Sequence, residues 1–158
     1  MNAVSVDLEG ARRIRAPSRR ALGEWARAAL GPRIGAAELA VRLVAPAEIR
    51  RLNRHYRGKD KPTNVLSFPS TVPADVHPRP LGDVVICPAV LKQEAREQGK
   101  PLRAHWAHLL VHGVLHLVGY DHEDDADARR MERREIAVLR RLGFDNPYRR
   151  ASRTRGNR

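Results

Sequence analysis

The sequence predicts one α+β domain, a small mixed sheet of about four strands covered by about five helices. Three observations carry this. Short β-prone runs and longer amphipathic runs follow each other in the order β-α-β-α-β-β-α-α-α, a pattern that lays helices over a sheet. The 158 residues suit a single core, and a 42% hydrophobic content is enough to fill it. A lone cysteine, Cys87, leaves no internal disulfide framework, so packing alone must hold the fold, as suits a reducing compartment.

Ala3–Leu8 alternates and reads as an edge strand. Pro17 to Leu30 reads as a helix, with Pro17 and Ser18 at its start and Gly31-Pro32 stopping it. Glu38–Ala45 alternates as a half-buried strand does, and Ala47 to about Tyr56 reads as a short helix. Charged and turn-forming residues then precede a β-prone run, Asn64 to Phe68, and Val72 to Pro80 reads as a Pro-rich loop. Leu81-Gly82-Asp83 leads into a buried strand, Val84 to Cys87. Pro88 to Gln98 is an exposed helix that Gly99 ends. Pro101 to Val118 is the most apolar helix, and Gly119 ends it by taking positive φ. Asp124 or Asp125 caps a last helix running to about Leu142. The domain is expected to span 1–148. The basic stretch 149–158 has no apolar residues and is expected to be a disordered tail, available to a polyanion.

The formal net charge is +12. Such a balance points to an anionic partner such as nucleic acid, although an arginine bias from a GC-rich genome gives the same number. The N-terminus has no apolar signal region and no run approaches a membrane span, so a cytoplasmic location with no membrane partner is expected.

The chemistry concentrates in His112–His122, HGVLHLVGYDH. On a helix, His112 and His116 share one face four residues apart. A reversal at Gly119 brings His122 back as a third nitrogen. Three histidines leave one position open on a tetrahedral Zn2+, as in catalytic rather than closed structural sites, and water bound there titrates near about 7. Zinc is the preferred ion, one per chain, though imidazole suits other first-row metals. His105 lies about 10.5 Å along the axis from His112, too far to share the ion. His108 is assigned a supporting or packing role.

This spacing is also that of the metzincin proteases, whose motif carries a glutamate base after the first histidine. Here that position is Gly113, which cannot move a proton, so a peptidase is disfavoured. Phosphodiester cleavage needs the glutamate less. It proceeds by water attack or by attack of an RNA 2′-OH, and either route needs a cation on the phosphate. Arg57, Lys59 and Lys61 supply cations just before a β-prone run; a solvated charged turn is the competing reading.

Four blocks, LNRHYRGKDKPTNVLSFP, LGDVVIC, HWAHLLVHGVLHLVGYDH and LGFDNPY, together resemble the YbeY family of bacterial endoribonucleases, the rRNA maturation factors, over roughly residues 38 to 148. The resemblance implies a zincin-like fold with a metal-binding helix and one zinc on His112, His116 and His122. It implies a single-strand-specific metallo-endoribonuclease acting in 16S rRNA 3′-end maturation and ribosome quality control. The small ribosomal subunit is then a partner, with ribosomal proteins or a ribosome-associated GTPase as further candidates. It also makes Arg57 important for activity. Asn64 departs from the aspartate many members carry before V-L-S-F. The rival readings are an rRNA-binding assembly factor with a structural zinc, or another metallohydrolase.

Several roles stay double. Asp121 or Tyr120 orients a ligand imidazole, or Asp121 caps the turn. Ser67 binds phosphate or satisfies backbone. Trp106 stacks on a base or packs in the core, and Cys87 reads as a buried small hydrophobe.

Overall fold

The computed structural model describes residues 3–10 and 14–149; of the expected basic tail 149–158, all but Arg149 lies outside the described residues. The elements run β1 (Val4–Glu9), α1 (Arg19–Leu30), β2 (Ala37–Leu43), α2 (Pro46–Arg57), β3 (Val65–Pro69), β4 (Arg79–Ile86), α3 (Pro88–Gln98), α4 (Leu102–Leu117) and α5 (Asp125–Arg141). The sheet order is β1-β2-β4-β3. The β1–β2 and β2–β4 pairs are parallel and β3–β4 is antiparallel, so the sheet is mixed, as expected.

Local chemistry fixes the helix ends. Ser18 caps α1, its Oγ accepting from Ala21 N at 3.1 Å. Asp124 caps α5 by accepting from Asp127 N at 2.8 Å, which decides between the two candidate aspartates. Helices α2 and α3 each open on a proline and close on a left-handed glycine, Gly58 and Gly99.

The strands alternate, and the alternation divides the interior. Val65 and Val84 point into the main core with α1, α4 and α5, while Leu66 and Val85 join Val44, Ile49 and Cys87 in a smaller core beneath α2. Trp106 belongs to the main core and Cys87 is fully buried, so both follow their packing readings.

One expectation is corrected. Strand β4 begins at Arg79, inside the stretch expected to be loop, and takes in Leu81-Gly82-Asp83. A bulge explains why the sequence hides this: Glu38 pairs with Pro80 and Leu39 with Gly82, leaving Leu81 as the extra residue. Gly82 has φ +126°, and a Cβ there would sit 2.2 Å from Phe68 O, so the glycine read as a lead-in to the strand is a residue this bulge needs.

Helix α4 is the centre of the molecule. It packs on β3, β4, α1, α3 and α5. Leu110, Val111, Val114 and Leu115 are fully buried, each contributing about 1.5–3 kcal/mol by leaving water. No helix among the described residues is long and apolar enough to cross a membrane.

Gly113 sets how closely α4 approaches the sheet. A Cβ at this position would lie 2.9 Å from Val84 Cγ1 and 3.2 Å from Ser67 Oγ. Gly113→Ala should gain helix propensity yet lose more through overpacking, for a net loss of about 1–2 kcal/mol in a denaturation titration. An unchanged or raised midpoint would show that the helix does not depend on this close approach.

Candidate functional site

The metal-binding candidates sit where α4 ends. His112 and His116 project from its last turns. Tyr120 N then donates to Leu115 O at 3.0 Å and Gly119 N to His116 O at 3.2 Å, with Gly119 at φ +105°. This paired 6→1 and 5→2 closure ends the helix and reverses the chain. His122 returns beside the other two rings, with centroids 4.9 Å from His116 and 5.7 Å from His112. One nitrogen from each ring lies within 4.8 Å of the others.

The donor chemistry fits a metal ion. Burial, and then the neighbouring His112 and His122, push the His116 imidazole down to about 4, so it is neutral with a free lone pair at neutral pH. His112 Nδ1 donates to Glu135 Oε2 at 2.5 Å, which leaves its Nε2 for an ion.

Glu135 comes from α5 and is fully buried. It also accepts from His108 Nε2 at 3.0 Å and from the Tyr148 hydroxyl. Burial pushes this carboxyl up, but the hydrogen bonds from His108 and His112 outweigh it and hold it down at about 2. Burial and then Glu135 raise the Tyr148 hydroxyl, which stays protonated and donating. A buried carboxylate with three donors is compensated; with fewer it would be a costly isolated charge.

The cationic side is built from the end of α2. Arg57 is its last residue and Gly58 turns the chain left-handed. The loop that follows is pinned twice. Arg50 grips Asp60 through two contacts at 2.8 and 3.3 Å, and buried Asn53 donates from Nδ2 to Lys61 O at 2.9 Å. The three histidines share a cavity of about 400 Å³ with Arg57, Lys59 and Lys61, and Ser67 and Asn64 form part of its wall. The cations and the histidines, far apart in sequence, therefore line one space.

The remaining expected residues are placed as follows. The Ser67 hydroxyl donates to Gly113 O at 2.9 Å, so it satisfies backbone, and the residue also lines the cavity. Asp121 Oδ1 accepts from the neighbouring His122 N at 2.7 Å. Tyr120 is packed against the main core. His108 shares Glu135 with His112 and also meets its ring edge to face, with centroids 6.3 Å apart. His105 is buried, and its Nε2 donates to Glu94 Oε1 at 2.8 Å. Asn64 donates to both oxygens of the same carboxylate at 3.2 Å.

Sequence reasoning missed Glu135, Tyr148, Glu94, Asn53 and the Arg50–Asp60 pair. One signal was there to find. Met131, Glu135, Val138 and Leu139 form the buried stripe of α5, and a glutamate on an apolar stripe needs a partner. The other four gave no such signal, because their partners lie across loops.

Fold and site define an α+β domain with a three-histidine candidate metal centre facing a cationic wall. Residues 13–143 match the family model described as Endoribonuclease YbeY, and the chain belongs to that family of RNA-cleaving hydrolases. Among solved structures, the solution structure of TM1509 from Thermotoga maritima is similar, with a TM-score of 0.59 and 27% identity over 92% of this chain and 99% of that one.

Glu135→Gln keeps the shape but removes the charge that orients His112. Affinity for added Zn2+, measured by chelator competition, should fall by about tenfold or more while the protein stays folded. Unchanged affinity would show that Glu135 serves packing alone.

Proposed function

We propose that this protein is a zinc-dependent, single-strand-specific endoribonuclease acting in 16S rRNA 3′-end maturation and ribosome quality control. The observation that carries the reading is the shared cavity, in which Arg57 and the three histidines converge. His112, His116 and His122 would hold the ion. When bound, zinc supplies positive charge and Lewis acidity at the scissile phosphate.

The chain's own residues supply the rest. Arg57 offers a planar fork that holds two phosphate oxygens, and it stands at the start of the pinned loop. Lys59 and Lys61 draw the backbone in without reading sequence, so binding should weaken steeply with salt. Position 113, where a protease of this spacing carries its base, faces Val84 and Ser67 rather than solvent, so no carboxylate fits there. Small-subunit rRNA is the proposed substrate. Ribosomal proteins or a ribosome-associated GTPase would be the partners that deliver it, in the cytoplasm.

The experiment is cleavage of end-labelled single-stranded RNA by wild type, His116→Ala and Arg57→Ala, purified in parallel. His116→Ala should lose metal and cleavage together. Arg57→Ala should keep metal and fold but lose cleavage by about 100-fold or more, and Arg57→Lys should recover only part of it. Metal-free His116→Ala with full activity would exclude the metal mechanism. Normal kcat in Arg57→Ala would exclude the clamp.

A further inference from the structure

We propose that Asn64 is the residue by which this site tells RNA from DNA. Its side-chain oxygen accepts a hydrogen bond from the 2′-hydroxyl of the ribose next to the bound phosphate. The proposal rests on the endoribonuclease reading above and specifies how its substrate class is chosen.

Asn64 stands immediately before β3, and its backbone is anchored there, with Cys87 N donating to Asn64 O at 3.0 Å. Its side chain is held as well. Nδ2 donates to both oxygens of Glu94 at 3.2 Å, and buried His105 fixes the same carboxylate through Nε2 at 2.8 Å. Burial pushes the Glu94 carboxyl up, but the hydrogen bonds from His105 and Asn64 outweigh it and hold it below its ordinary value. An ionised carboxylate only accepts. It therefore decides which way the amide faces, nitrogen toward Glu94 and oxygen away from it.

The oxygen so turned is available. Oδ1 has no hydrogen-bond partner among the described residues, yet it is not enclosed. Glu94 lies on the wall of a neighbouring cavity and not on that of the metal cavity, whereas Asn64 and His112 belong to both. An amide that gives its nitrogen to Glu94 thus presents its oxygen toward the metal cavity, on the side of the ligand His112.

A ribose arriving there needs such an acceptor. A strand with its phosphate against Arg57 and the histidines brings the adjoining ribose to this wall. Its 2′-hydroxyl gave a hydrogen bond to water and must give one again, and a DNA strand has no such group. The cavity's lining holds no carboxylate, and Arg57, Lys59 and Lys61 only donate. Thr63 and Ser67 carry hydroxyls, which turn to donate or accept and so select little. Asn53, the other amide on the wall, is only 3% exposed. Asn64 alone combines access with an orientation fixed before the strand binds, and such preorganisation lowers the cost of binding.

The test compares a fluorescein-labelled oligouridylate with its 2′-fluoro counterpart of the same length, bound to the full-length protein and read by anisotropy before turnover. The fluorine keeps the ribose pucker but cannot donate. Wild type should bind the ribo-oligomer about fivefold tighter, the loss expected for one hydrogen bond, and Asn64→Ala should bind the two alike. Glu94→Gln frees the amide to turn and should narrow the gap as well. A purely structural role for Asn64 would weaken both oligomers together and leave their ratio unchanged. Equal affinity of wild type for the two oligomers, or a gap that survives Asn64→Ala, would overturn the proposal. The first comparison needs no variant, so it holds even if Asn64→Ala folds poorly. Cleavage of the ribo-oligomer keeps the two readings apart: an Asn64-dependent gap without cleavage retains the ribose contact and removes the nuclease, and cleavage without a gap does the reverse.

Discussion

The site depends on how closely α4 lies against the sheet. Gly113 leaves no side chain between the helix and Val84, and the Ser67 hydroxyl closes the gap by donating to the Gly113 carbonyl. The contact locks one side of the last two turns. His112 and His116 project from the adjoining face, into the cavity that Ser67 also lines. Ligands on a helix so fully buried have little freedom to stray, and rigid presentation is what a metal site needs. The same glycine that removes a protease base thus brings the ligand helix into place.

A second constraint ties the C-terminal third to that helix. Glu135 is a buried charge that is compensated only while His108, His112 and Tyr148 all donate to it. Helix α5 and the segment after it are therefore bound to the histidine site by electrostatics as well as by packing. Phe144 meets Trp25 of α1 edge to face at 5.9 Å, which anchors that segment to the main core. Tyr148 lies beyond the residues matched to the family model, yet it completes the set of donors around the carboxylate.

Much of this was legible in the sequence, for identifiable reasons. The element order, the mixed sheet of four strands and the histidine trio were readable because each is local: alternation marks β2, the four-residue spacing puts His112 beside His116, and Gly119 announces the reversal. Strand β4 was cut short because its bulge uses Pro80, which read as loop, and Gly82, which read as the lead-in to the strand. Arg57 could be singled out as a cation, but the pinning of its loop could not, since Arg50 and Asp60 are ten residues apart across a turn. Glu135 could have been found as a charge on an apolar stripe. Glu94 could not, because its partners come from β3's approach and α4.

The most direct test of the central claim, that the three histidines and Arg57 act on one phosphodiester, is a crystal structure with Zn2+ and a short single-stranded RNA carrying an uncleavable linkage. Anomalous scattering should place one zinc on His112, His116 and His122, with a phosphate held between that ion and the Arg57 guanidinium. Zinc bound elsewhere, or a phosphate seated away from Arg57, would contradict it.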